Sequence, residues 1–407
     1  MIMSYLRMAW RNLWRNKRRT LITVASIFFG VVMATLMASM QDGTYGNMID
    51  IMVKLSSGYL QVQNPDYRED RSVNNAFMPD NELEARIAST GMVTTVARRF
   101  ESFGLLSSGP NTRGGAIIGF EPEKDRETSN LSHWISEGKM ISPGDDGVLV
   151  AANTAKYLGL GLNDTIVVIS QGYRGVTAAG QYPIKGILTF STPQMNNLGV
   201  FMDISAAGEL FSAEGMVTSL VLMVESYDAV APAHRKVSEI AGDSLSVLSW
   251  QQLNPEVLQF IESDKAGGIV MLFILYIVIG FGILGTIIMM LAERRRELGV
   301  MVAVGMNKVR LGTVLFIETM LIGLTGVIAG FVVSIPVIML FVGNPIELSG
   351  EIGEVYLQYG FEPYLFFGTA PWIFVNQVVT VFLITLVIAV YPVMKIRRLV
   401  VARSLRG

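Results

Sequence analysis

Residues 267–311 read GGIVMLFILYIVIGFGILGTIIMMLAERRRELGVMVAVGMNKVRL. Gly267 to Leu291 carries no charge, and as a helix it is long enough to cross a hydrocarbon core of about 30 Å. A dense ionic cluster, Glu293 to Glu297, follows at once, and a second apolar run begins at Leu311. An apolar run, a short charged loop and another apolar run read as two membrane spans joined on one side of the bilayer.

Two further runs have the length and composition of spans, Thr20 to Met40 and Trp372 to Met394, and the run from Leu311 extends to Val342. The 407 residues are 51% hydrophobic and 16% charged, a balance that leaves room for a large soluble part. The sequence therefore predicts a membrane protein with four transmembrane α-helices and a large α+β extracytoplasmic domain inserted between helices 1 and 2. Its expected divisions are a basic amphipathic helix over 1–19, helix 1 over 20–40, the outer domain over 41–265, and three helices over 266–407. The last part holds a charged segment at 292–310 and a basic tail. The first apolar run exceeds the 7 to 15 residues usual for a signal peptide, so it reads as an uncleaved span.

The distribution of charge sets the expected orientation. Net charge is only -2, which gives no reason to expect a nucleic acid partner. Arg7, Arg11, Arg15, Lys17, Arg18 and Arg19 precede the first span without an acid, and Lys395, Arg397, Arg398, Arg403 and Arg406 follow the last. Residues 343–371 instead carry Glu347, Glu351, Glu354 and Glu362 with no Lys or Arg. The positive-inside bias assigns both termini and the 293–310 loop to the cytoplasm and the inserted domain to the outside.

The inserted domain mixes two periodicities. YLQVQ (Tyr59–Gln63), GGAIIGF (Gly114–Phe120), GVLVA (Gly147–Ala151), TIVVIS (Thr165–Ser170) and SLVLMVE (Ser219–Glu225) read as strands. ELEARIAS (Glu82–Ser89), NTAKYLGL (Asn153–Leu160) and AVAPAHRKVSEIAG (Ala229–Gly242) read as helices. One subdomain split by an insertion near Arg113 to Glu214 fits this order. QGYRGVTAAGQ (Gln171–Gln181) interrupts two strands with glycines and polar residues and reads as an exposed hairpin suited to a partner.

Little in the chain suggests chemistry of its own. There is no cysteine and there are two histidines, which excludes a disulfide framework and argues against a Cys/His metal site. HWISEGKM (His133–Met140) is the nearest approach to a phosphate loop, and it lacks both the leading glycine and the closing Ser or Thr. No catalytic residue, metal or cofactor is expected on this chain.

The charged loop carries more pattern than an anchor requires. On a helix Glu293 and Glu297 stand one i,i+4 step apart, as do Arg294 and Leu298, while Leu298, Met301, Val302 and Gly305 form an apolar stripe beside the charges. Such an element can offer a ridge to a partner, although positive residues can also simply hold a span in place. Glu318 lies about two turns inside the third span, where an ionisable group is costly, and near the cytoplasmic end it reads as a snorkelling side chain, as one paired with a partner such as Arg310, or as a relay. Gly326 and Gly330 form a small-xxx-small step, with Gly323 on a neighbouring face, which would suit helix packing between two copies. Phe29, Met33, Met37 and Met40 fall along one face of the first span, and Met271 and Phe281 could face them from the second. That set reads either as an adaptable apolar cleft or as ordinary packing and lipid contact.

ERRRELGVMVAVGMNKVRL (Glu293–Leu311) resembles the coupling segment of the MacB, LolC/LolE and FtsX group of ABC transporter permeases. WRNLWRNKRRTLIT (Trp10–Thr23), GVLVAANTAKYLGLGLNDTIVV (Gly147–Val168) and YPVMKIRRLVVARSLRG (Tyr391–Gly407) resemble other parts of the same group in the same order. The resemblance implies a dimer, with a second permease copy or a paralogue, seated on a separate ABC ATPase subunit that carries the ATP and Mg. It assigns Glu293, Arg294, Arg295, Arg296, Glu297, Leu298 and Gly299 to the ATPase contact. Within the group LolC and LolE fit best in size and free-standing form, and LSWQQLNPEVLQFIESDKAGG (Leu248–Gly268) resembles their entry into the second span. That implies lipoprotein cargo taken from the bacterial inner membrane, with membrane lipid around it, and a periplasmic carrier. A MacB-like efflux permease with an adaptor and outer-membrane channel is the alternative, favoured by the basic WRNLWRNKRRT start. An FtsX-like regulator of a cell-wall hydrolase is the other.

Overall fold

The computed structural model describes residues 2–15, 17–191, 195–225, 227–358 and 361–398. The chain forms two compact units, a helical one from 1–46, 261–347 and 364–407, and an α+β one from 47–260 and 348–363. The last residues of the basic tail, with Arg403 and Arg406, lie outside the described residues.

The helical unit opens with an N-terminal helix, Ile2–Arg15, followed by four long helices: Lys17–Met52, Pro255–Glu293, Lys308–Gly343 and Pro371–Arg397. Each of the four contains a stretch long and apolar enough to cross a membrane. The first and second run past the apolar stretches into residues assigned by composition to the inserted domain. The division at 41 and 265 expected from the sequence therefore falls inside helices, and the units part near 46 and 260. Hydropathy marks where water begins, whereas a helix ends where capping or a breaker ends it.

Small residues set the spacing of the spans. A Cβ on Gly326 or Gly330 of the third span would lie 2.7 Å from the Cβ of Ile27 or Val31 on the first. One on Gly323 would lie 2.3 Å from Thr385 of the fourth. The Gly326–Gly330 step is thus filled by the chain's own first span, which corrects its assignment to a contact between copies. Ile27, Val31, Ile283, Leu315, Ile322 and Val381 form the centre of the resulting core.

Among the described residues the α+β unit is built on ten strands: β1 (Leu60–Gln63), β2 (Val93–Ser108), β3 (Asn111–Phe120), β4 (Ile135–Gly138), β5 (Val148–Ala151), β6 (Thr165–Gln171), β7 (Thr177–Leu188), β8 (Gly199–Asp203), β9 (Ser219–Val224) and β10 (Ser246–Ser249). They make one mixed sheet in the order β10-β1-β9-β2-β3-β8-β5-β7-β4, with β6 bridging β2 and β7. The β3/β8 and β5/β7 pairs are parallel and the rest antiparallel. Every residue of β5, β8 and β9 is buried, which explains why β5 and β9 read as apolar runs. Gly199 begins β8 at φ 137°, where a Cβ would stand 2.1 Å from the carbonyl oxygen of Ala116, so only glycine lets β8 close on β3.

Two main cores pack on this sheet. One gathers Phe100, Ile117, Val150, Ile166, Val200 and Phe211. The other gathers Leu60, Val62, Leu222, Val237, Val247 and Trp250, from segments on either side of the first. The insertion expected near 113–214 corresponds to a separate core on a continuous sheet, since β2 pairs with β9 at one end and with β3 and β6 at the other. Buried Arg99 in β2 donates to Ser129 Oγ at 2.8 Å and stands 3.6 Å from the Glu101 carboxylate. Burial pushes its guanidinium below the ordinary value, against the pull of Glu101. Of the segment read as an exposed hairpin, 171–181, only 172–176 is the turn, with Arg174 at φ 54° and its N–H donated to Asn74 Oδ1 at 2.7 Å, while Thr177–Gln181 already pairs with β6 as part of β7. Residues 348–363 complete the unit: Phe361 is buried, 5.8 Å ring to ring from Phe260.

Gly326→Leu should overpack the first and third spans and cost about 1–3 kcal/mol or more. Gly343→Leu, which meets no neighbour within 4 Å, should be silent. Graded unfolding of the detergent-solubilised chain measures both, and equal midpoints would contradict the packing described.

Candidate functional site

Between the second and third spans the chain makes a short helix, Arg295–Ala303, which we call the coupling helix. It begins one residue after the second span ends, with Arg294 at φ -90° and ψ 6° making the break. It closes where Met306 N–H donates to the Met301 carbonyl at 3.0 Å and Gly305 takes φ 104°. Asn307 then caps the third span, its Oδ1 accepting from Val309 N–H at 2.8 Å.

The seven residues assigned to an ATPase contact split between two faces. Glu293, Arg295, Arg296 and Glu297 are exposed, whereas Arg294, Leu298 and Gly299 are buried. Leu298 packs with Leu13, Leu311 and Leu315, and Met301, Val302 and Met306 pack against the same core. The apolar stripe expected to offer a ridge to a partner is therefore spent on the chain's own interior. The outward face carries Arg295, Arg296 and Val300, and Val304, which caps the helix, is 84% exposed.

Arg294 does not face outward at all. Its Nη1 donates to both oxygens of Glu318, at 2.8 and 3.1 Å, and both side chains are buried. The partner of Glu318 is thus Arg294 and not Arg310, which is exposed. Arg294 Nε stands 3.5 Å from the Glu297 carboxylate, and Glu297 also pairs with Arg15 of the N-terminal helix. Asn12, one turn earlier on that helix, stands beside Glu318. Removing one member of a buried ion pair leaves an uncompensated charge and costs about 3–5 kcal/mol, while an exposed pair such as Arg15–Glu297 contributes about 0–1 kcal/mol. A cavity of about 600 Å³ opens beside this network, lined by Met8, Asn12, Arg15, Arg296, Met301 and Val314 among others.

The residues assigned to an apolar cleft are not collected into one place. Phe29, Met33, Met271 and Phe281 are exposed on the helical unit. Met40 packs into a cluster with Phe331, Phe341, Phe367 and Phe374, and Met37 is half-buried. Eleven residues, about three helical turns, separate Phe29 from Met40, so the stripe keeps to one side of the helix, and what changes along it is the cover, which the Phe367 cluster supplies at Met40 and none of the described residues supplies at Phe29 and Met33. No group of three or more His, Cys, Asp or Glu able to hold a metal occurs among the described residues.

Comparison with known proteins gives two family matches. Residues 20–240 match the MacB-like periplasmic core domain, and residues 269–401 match the FtsX-like permease C-terminal family. The chain is 18% identical over 349 residues to the macrolide export ATP-binding/permease protein MacB of Aggregatibacter actinomycetemcomitans, covering 82% of this chain and 52% of that one. It is 20% identical over 343 residues to an uncharacterised ABC transporter permease of Methanocaldococcus jannaschii, covering 80% and 82%. To the lipoprotein-releasing system transmembrane protein LolC of Xylella fastidiosa it is 19% identical over 270 residues, covering 64% and 65%. The chain thus spans about half the length of MacB and just under two thirds of LolC. The crystal structure of the periplasmic region of MacB from Actinobacillus actinomycetemcomitans is similar at a TM-score of 0.35 and 12% identity, over 49% of this chain and 91% of that one.

Arg294→Ala should destabilise the purified chain by about 3–5 kcal/mol, because it leaves the Glu318 carboxylate buried and unpaired. Arg295→Ala, one residue on and exposed, should stay within about 0.5 kcal/mol. Unfolding in detergent compares the two, and equal losses would mean that Arg294 is not buried against Glu318.

Proposed function

Since this chain belongs to the MacB, LolC/LolE and FtsX group of ABC transporter permeases, we propose that it is the membrane subunit through which a separate ABC ATPase drives release of lipoproteins from the inner membrane. The observation that carries the ATPase contact is the two-sided coupling helix. Its inner face is fixed by Leu298 and Arg294, and its outer face presents two guanidinium groups beside exposed valines. Arginine is enriched at interface hot spots, and its planar fork pairs with carboxylates and phosphates across an interface.

On this reading both termini and the coupling helix lie in the cytoplasm, as the basic residues around the spans argue, and the α+β unit lies in the periplasm. ATP and Mg sit on the partner. ATP-driven closure of a pair of ATPases moves the coupling helices of two permeases, either two copies of this chain or this chain and a paralogue. The periplasmic domains, with the 171–181 hairpin, then hand cargo to a carrier. Acyl chains would meet the exposed Phe29, Met33, Met271 and Phe281, whose apolar side chains suit an irregular ligand.

A second reading has its own support. The match of residues 20–240 to the MacB-like periplasmic core favours an efflux permease whose outer domain works with an adaptor and an outer-membrane channel. The two readings share the ATPase and differ in what leaves the membrane.

Affinity purification of the solubilised chain, with mass spectrometry of proteins and lipids, separates them. An ATPase together with acylated lipoproteins is the expected result; an ATPase with an adaptor protein moves the assignment to efflux; no ATPase overturns both. The double reversal Arg295→Glu with Arg296→Glu should reduce the captured ATPase at least tenfold without changing the stability of the permease.

A further inference from the structure

We infer that Arg294 and Glu318 are positioning residues that fix the angle of the coupling helix on the third span, with the N-terminal helix packed against the same joint. One guanidinium lies between two carboxylates on two different helices. Nη1 donates to Glu318 on the third span, while Nε, buried without a hydrogen bond, has the Glu297 carboxylate of the coupling helix 3.5 Å away. The N-terminal helix reaches Glu297 through Arg15, packs on the same core through Leu13 and holds Asn12 beside Glu318. Two acids and two bases from three elements therefore close into one network beside Leu298, Leu311 and Leu315.

The chemistry favours a geometric role. A buried ion pair contributes little to stability compared with apolar residues of the same size, but any arrangement that separates the partners strands a charge. The coupling helix is attached at its start by the single residue Arg294 and at its end by a glycine turn, so backbone continuity alone holds its angle weakly. The planar fork of arginine can address two carboxylates at fixed directions, whereas the ammonium of lysine is a single point of charge. Retaining the charge while losing the fork should therefore loosen the joint. A consequence follows that rests on the ATPase contact proposed above: a push on Arg295, Arg296 and Val304 reaches the third span and the N-terminal helix as one motion.

The absence of cysteine makes the geometry directly measurable. Spin labels on Val304→Cys and Val332→Cys, both exposed positions, report the coupling helix against the third span. The helical path from 308 to 332 is roughly 36 Å at 1.5 Å per residue, within range of pulsed electron resonance. In the full chain without ATPase, the Arg294–Glu318 background should give one narrow distance distribution. Arg294→Lys and Glu318→Gln, each checked for native helicity and monodispersity, should broaden it at least twofold. The reversal Arg294→Glu with Glu318→Arg should recover much of the narrow width. Unchanged widths in both single variants would overturn the positioning role. With the ATPase present, cargo released per ATP hydrolysed should fall at least tenfold in Arg294→Lys while ATPase binding persists. Broadened distances with an unchanged ratio would overturn the transmitted motion and leave the joint, and capture of no ATPase would count against the proposed function alone.

Discussion

A guanidinium and a carboxylate 2.8 Å apart, both buried, are the constraint around which the helical unit is arranged. Charged groups withdrawn from water demand partners, and each must come from a defined direction. Glu318 sits inside an apolar helix, so the partner has to be delivered to it from another element. The break at Arg294 does this. It ends the second span, turns the chain and sends the guanidinium inward, and Leu298 one helical step later reinforces the same face. Outward exposure of Arg295 and Arg296 is then a geometric consequence, since residues one and two positions along a helix point away from the first.

Two other close approaches support that arrangement. The first span can lie against the third only because Gly326 and Gly330 carry no side chain, and the fourth approaches at Gly323. In lipid, where apolar surface gains nothing by leaving its solvent, such dispersion contacts hold helices together. The α+β unit relies on the opposite physics. Its fully buried strands β5, β8 and β9 are covered by apolar side chains withdrawn from water, and a buried charge such as Arg99 is held by Ser129 and Glu101.

Much of this was legible in the sequence. The four spans, the charged loop and the strands at 60–63, 148–151, 165–171 and 219–224 follow from uninterrupted or alternating apolar pattern. The 16 residues of β2 were not legible, because Arg98, Arg99, Glu101 and Gly104 break every simple periodicity, and their strand form depends on neighbours far along the chain. The faces of the coupling helix were half legible. The i,i+4 step from Arg294 to Leu298 already put both on one side, but a charge cluster invites the assumption that every charge meets solvent or a partner. Glu318 was the missing signal. Its lone acid inside a span required a base, and a helical phase carried through the loop selects Arg294 over Arg310. The methionine stripe was misleading for the related reason that spacing alone does not say which side of a helix is covered.

The α+β unit is not one continuous stretch of chain. Residues 348–363 return to it after the third span, and Phe361 is buried beside Phe260, with Tyr356 edge-on to the same ring. Exchange of this unit between related permeases, by recombination or by design, would thus have to move two segments together. A graft of 47–260 alone would arrive without the aromatic wedge that finishes its base. Modular shuffling at the level of whole domains is restricted in such a chain, and its two ends of variation must change in step.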